Sequence, residues 1–246
     1  MTRLFENPPT TIRPPLAAAL ETAWSQLAEP GAWLTGAQRL AVVAEARHAW
    51  DCNLCRDRTA ALSPYAIAGD HDHLGDLPPE WIDVIHRVTT DSGRLTEDWL
   101  RGVLDTGIEE DEFVEIVGVA IIGIAIDAFA DGIGVAPGPL PAPQPGAPAR
   151  KRWDGATPGP GWVSTTAPEN AGAELADHYR DGRGLFNIVR SLTLVPTAAT
   201  QLFALLDCLY MENPGIEELD GIDRSISRAQ IEFLAARSSS LLGCFY

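Results

Sequence analysis

An all-α fold is predicted by three features of the sequence. Helix-start signals recur ahead of runs whose apolar residues lie three and four apart, strand-type alternation is almost absent, and residues 113–130 are apolar around most of a helical circumference. The last feature marks that segment as the central helix of a bundle.

Helices are expected over 15–27, 35–62, 79–91, 96–105 and 110–133, separated by clusters of Pro, Gly and Asp. Thr96 with Asp98, and Asp111 with Glu112 ahead of the apolar run, supply a cap and first-turn acids. Residues 136–149 are rich in Pro, Gly and Ala and cannot hold a helix, so they read as a semi-rigid linker. Beyond it, helices are expected over 169–178, 185–192, 196–212 and 227–244. The chain therefore divides into a first helical unit (1–135), a Pro/Gly-rich linker (136–162) and a second helical unit (163–246).

Composition narrows the function. With 246 residues, 46% of them apolar, the chain can bury one large core or two smaller ones. A formal charge of -16 disfavours a nucleic-acid partner, which requires a basic surface. The N-terminal residues lack a signal-peptide core and the apolar run 116–126 is too short for a bilayer, so a cytoplasmic protein with no membrane partner is expected. Four cysteines are too few for a disulfide scaffold of this size, and in a reducing compartment a close pair points to catalysis or metal binding.

That pair is Cys52 and Cys55. On a continuous helix over 35–62, Glu45, His48, Cys52 and Cys55 fall within roughly 80° of one another, which joins a carboxylate, an imidazole and two thiols on one face. A histidine beside a Cys-x-x-Cys pair favours a thiolate with a resolving partner next to it. A metal set is the main alternative: Cys52 and Cys55, then His71 and His73 in a turn-rich loop, are four ligands of a type that zinc accepts. His86 lies on a helix whose Trp81, Ile82, Ile85 and Val88 face the core, and reads as a hydrogen-bonded, partly buried histidine rather than a ligand. Asp127 must reach solvent or meet Arg47, Arg56 or Arg87, and Cys208 reads as a core residue.

The chain also resembles itself. An Ala-Gln pair at Ala37 precedes Cys52 by fifteen residues, and an Ala-Gln pair at Ala229 precedes Cys244 by the same interval, the pattern of a tandem duplication.

The stretch 227–246, with 79–88, 95–100, 107–117 and 126–134, resembles the alkylhydroperoxidase D-like and carboxymuconolactone decarboxylase superfamily, specifically its peroxidase-related tandem members. The resemblance implies that fold, with an incomplete second copy, assembly into a homo-oligomer, and thiol peroxidase or disulfide oxidoreductase chemistry. That chemistry needs no cofactor; it takes a small peroxide as substrate and an external dithiol as reductant. In the family pattern the second cysteine attacks, the first resolves, a glutamate lies twelve residues before the first cysteine, and a histidine lies four after the second. Here Leu40 and Thr59 occupy those two positions in the first copy, so Glu45 and His48 are the candidate proton relay for Cys55 and Cys52. The second copy keeps Glu232 and Cys244 but stops at Tyr246, ahead of a second cysteine, so either the product is truncated or the second site is dead; the uncapped apolar end favours truncation. A non-catalytic helical oligomerisation module and a thiol-independent decarboxylase or lactone-processing relative are the remaining readings.

Overall fold

Local chemistry sets most helix starts. In the computed structural model, which describes residues 4–5, 8–159, 161–180, 186–211 and 224–244, α1 (Pro14–Leu27), α4 (Pro79–Asp91) and α8 (Pro196–Leu209) each begin with proline, where the missing N–H has no helical partner to lose. α2 (Gly36–Ala49) starts at a capping box, with Thr35 Oγ1 accepting from the Gln38 amide at 3.2 Å and Gln38 Oε1 accepting from the Thr35 amide at 2.9 Å. Thr96 caps α5 (Glu97–Asp105) through the Trp99 amide, and Ser227 with Gln230 repeats the capping box at α9 (Arg228–Leu241). The described residues are mostly helical, with one short antiparallel ladder joining β1 (Ala156–Thr157) to β2 (Thr165–Thr166).

α6 (Glu110–Gly132) is the axis, packed against α1, α2, α4 and α8. By length and composition alone it could cross a membrane, yet more than half of it is buried against these neighbours. Gly123 lets Val43 of α2 approach, since an added Cβ would lie 3.0 Å from its methyl group, and Gly118 does the same for Ala198 of α8. Two polar side chains of α6 are paired with α2 across the bundle. Glu115 and Arg39 of α2 form a fully buried ion pair at 2.8 Å, and Asp127 accepts two hydrogen bonds from Arg47 at 2.8 Å, one of the cations offered to it by the sequence.

Residues on both sides of the Pro-rich segment share one core, which runs from Leu4 through Leu34, Ile85 and Ile122 to Leu194 and Leu205. The segment itself lacks helix and strand and is pinned to the bundle where the Gln144 amide donates to the Ala28 carbonyl at 2.8 Å.

Three helical expectations change. The helix expected over 35–62 is two helices, α2 and α3 (Asn53–Ala60), because Cys52 is extended (φ -68, ψ 125) and acts as the N-cap of the second. The helix expected over 169–178 shrinks to the 3-10 turn Pro168–Asn170 and a series of turns, since Gly172 adopts the left-handed region (φ 57) and ends any right-handed run. The helix expected over 185–192 shrinks to α7 (Asn187–Arg190); residues 185 and 212 of the expected helices, and Tyr246, lie outside the described residues. The two halves of the proposed duplication share capping chemistry but not environment. α2 is largely buried, whereas α9 leaves Phe233, Leu234, Leu241 and Leu242 exposed and buries only Arg228.

Candidate metal centre

The break at Cys52 builds the site. With Cys52 as N-cap and Cys55 in the first turn of α3, the two thiols sit at a helix start, and both are buried. The loop that follows α3 is fastened on either side of His73. Asp72 accepts from the backbone and side-chain amides of Asn53, both at 2.8 Å, and the Leu74 amide donates to Glu45 Oε2 at 3.1 Å. These anchors carry His71 inward against the sulfurs and leave His73 exposed. α4 supplies His86, fully buried beside Val84 and Ile85.

The ligand atoms of Cys52, Cys55, His71 and His86 all lie within 4.8 Å of one another. His71 Nδ1 is 3.6 Å from Cys52 Sγ and 3.4 Å from Cys55 Sγ, and His86 Nδ1 is 3.2 Å from Cys55 Sγ. A tetrahedral ion with Zn–S of about 2.3 Å and Zn–N of about 2.0 Å holds sulfur and nitrogen about 3.5 Å apart. The three separations bracket that spacing.

Each imidazole is backed by a carboxylate. His86 Nε2 donates to Glu45 Oε1 at 2.8 Å, and His71 Nε2 donates to Asp83 Oδ1 at 3.0 Å. An ionised carboxylate can only accept, so the Nε2 atoms carry the protons and the Nδ1 lone pairs face the sulfurs. Asp83 is itself steadied by Arg58 Nη1 at 3.1 Å and by the Trp99 indole N–H at 2.9 Å. Although burial opposes it, these bonds from His71, Trp99 and Arg58 hold the Asp83 carboxyl well below the usual carboxylate range. Burial pushes the His86 imidazole down, against the pull of Glu45, which keeps the ring neutral. Burial likewise pushes the Cys55 thiol up to about 12, with Thr90 opposing and the Cys52 sulfur adding to the rise. Left alone, this sulfur keeps its proton at neutral pH; a cation at the centre of the cluster reverses that preference.

No family model, curated protein or solved structure matches the chain. The likeness to the alkylhydroperoxidase D-like superfamily therefore rests on the motif residues alone.

Cys52, Cys55 and Glu45 come together, although Glu45 reaches Cys55 only through His86. His48 does not join them: once the helix ends at Ala49 its phase no longer relates it to the thiols, and it is not among the converging ligand atoms. In the metal set His86 takes the place expected for His73, because the loop anchors at Asp72 and Leu74 turn His73 outward. The expectation of a lowered thiol pKa is corrected by burial, which raises that of Cys55. The second-copy residues stand apart from the cluster. Glu232 pairs with Arg228 at 2.8 Å, and Cys244 is exposed at the end of α9. Cys208 is partly buried against the core.

The sequence signal for His86 is a polar side chain in phase with the buried positions of α4, with Glu45 the acid available to orient it.

Proposed function

We propose that this chain is a zinc protein whose Cys52, Cys55, His71 and His86 bind one Zn²⁺. The observation that carries the reading is the convergence of two sulfurs and two imidazole nitrogens within 4.8 Å, each imidazole backed by a carboxylate. Two thiolates and two imidazoles suit zinc better than magnesium or calcium, which prefer oxygen. All four tetrahedral positions come from protein, so the ion is structural: it ties the α2–α3 corner, the loop after α3 and α4 into one unit. Elemental analysis after expression in zinc-supplemented medium should find one zinc per chain, lost in Cys55→Ala and His86→Ala. Cobalt in place of zinc should give the visible bands of a tetrahedral thiolate site. Metal-free protein whose melting temperature is unmoved by added zinc, together with zinc-supplemented protein unmoved by a chelator, would reject the proposal.

A second reading is favoured by one connection, the chain Cys55–His86–Glu45, with links of 3.2 and 2.8 Å. This is a proton relay suited to the dithiol peroxidase of the alkylhydroperoxidase D-like type. Cys55 attacks a hydroperoxide and becomes a sulfenic acid as the alcohol leaves; Cys52 then displaces water to close the disulfide, and an external dithiol reduces it. The burial of both sulfurs, Cys52 at 0% exposure and Cys55 at 3%, weighs against it, since a peroxide needs a path to the thiolate. Peroxide consumption by metal-free protein with a dithiol donor separates the two readings. Turnover abolished by Cys55→Ser supports the peroxidase, and no turnover leaves the zinc reading standing.

A further inference from the structure

Trp99 donates its indole N–H to Asp83 at 2.9 Å, and its ring also forms a wall of a separate cavity of about 290 Å³. The other walls come from α5, α6, α7 and the segment around Trp162, with Leu100, Phe113 and Trp162 among the apolar residues that line it. The chain holds 34 Asp and Glu against 18 Lys and Arg, yet among the described residues no acid lines this cavity, and its single charge is Arg190.

Arg190 is under-used where it stands. Its Nη2 reaches Thr165 Oγ1 only at 3.5 Å, its Nε is buried without a hydrogen-bond partner, and it joins no ion pair among the described residues. A guanidinium against aromatic walls loses hydration and recovers it best from a planar anion that takes two of its N–H groups at once. One cation matches one negative charge. A phosphate dianion would leave excess charge in a chain already at -16. The volume lies at the small end for ligand sites, enough for one aromatic ring or a short alkyl chain.

We propose that this cavity binds a small apolar monocarboxylic acid, with its carboxylate on Arg190 and its ring or chain between Trp99, Phe113 and Trp162. The site is independent of the zinc reading, because none of the four cluster residues lines it.

Calorimetric titration of the full chain with 4-phenylbutyrate and with octanoate, and with 4-phenylbutyramide as the uncharged counterpart, tests the assignment. At least one acid should bind saturably, and the amide should bind about tenfold more weakly or worse. Arg190→Gln should erase that preference while the circular dichroism spectrum stays the same, and Arg190→Lys should keep part of it. Absence of saturable binding by both acids at millimolar concentration, equal affinity for acid and amide, or a preference that survives Arg190→Gln overturns the proposal. If Arg190→Gln does not fold, Trp162→Ala decides. That ring is 52% exposed, so its loss should spare the fold yet weaken acid binding about fivefold; unchanged affinity overturns the proposal.

Discussion

Glu45 and His86, separated by 41 positions in the chain, meet through a 2.8 Å hydrogen bond between two side chains that are each almost wholly buried. The bond holds the imidazole with its Nδ1 toward Cys55 and satisfies a carboxylate that would otherwise be stranded among α2, α4 and the loop at Leu74. It is the link by which the α2–α4 packing orients the His86 imidazole toward the thiols.

Removing that link should loosen metal binding without deleting a ligand. Glu45→Ala leaves the His86 N–H and the Leu74 amide without their acceptor, and zinc affinity should fall about 10–100-fold. Competition against a chromophoric chelator measures it, and an affinity equal to wild type would show that the carboxylate has no orienting role.

The two histidines singled out by the sequence that stand outside the cluster should be dispensable for metal. His48→Gln and His73→Gln should retain a full zinc equivalent, because neither side chain is among the converging atoms. His71→Gln should lose it. Metal analysis of the three variants distinguishes the ligand set 52, 55, 71 and 86 from a set that contains His73.

The buried pair Arg39–Glu115 couples α2 to α6 and reaches further, since Arg39 Nη2 donates to Gln201 of α8 at 2.9 Å and Glu115 Oε2 accepts from the Trp33 amide at 2.6 Å. Arg39→Met strands a buried carboxylate and should cost about 3–5 kcal/mol in urea unfolding. Adding Glu115→Leu should return part of that, with the Trp33 amide left unpaired. Gly31→Ala should also destabilise, by about 1–3 kcal/mol, because its Cβ would sit 1.6 Å from Glu115 Oε1. Melting temperatures equal to wild type in Arg39→Met and Gly31→Ala would show that the pair does not hold the bundle.

Acid sensitivity should trace in part to Glu110. Burial raises its pKa, but hydrogen bonds from Arg152 and Ser164 outweigh that and leave it lowered. A carboxyl lowered in the folded state adds stability above its unfolded pKa and loses that contribution as pH falls through the folded value. Glu110→Gln should therefore be less stable than wild type by about 1 kcal/mol at pH 7, a modest figure because Arg152 is half-exposed and screened. The gap should close in the acid range, below roughly pH 4. Asp111 and Glu112 run the other way. Burial raises both, so their penalty is present at neutral pH and eases as pH falls through their folded values. Thermal melts of wild type and Glu110→Gln across the acid range measure the difference; a gap that persists in acid refutes the charge argument.

Much of the local structure was legible because its causes are local. Pro79, the Thr96 cap and the apolar run before Asp127 each act within a turn or two, and the bounds of α4, α5 and α6 fall within a residue of expectation. The break at Cys52 was not legible, since it depends on Asp72, nineteen positions away, taking the Asn53 amide. With that break the phase argument tying His48 to the thiols fails, while Glu45 keeps its place by way of His86.

The sequence by itself determined an all-α chain with two adjacent thiols and the acids and imidazoles to serve them, because helix propensity, capping and apolar periodicity are carried by neighbouring residues. Which imidazoles face the sulfurs was decided only by tertiary structure. Bringing α3, the loop after it and α4 to one point depends on loop anchoring and on α4 packing against α2 and α6, and periodicity fixes the face of a helix but not what that face meets.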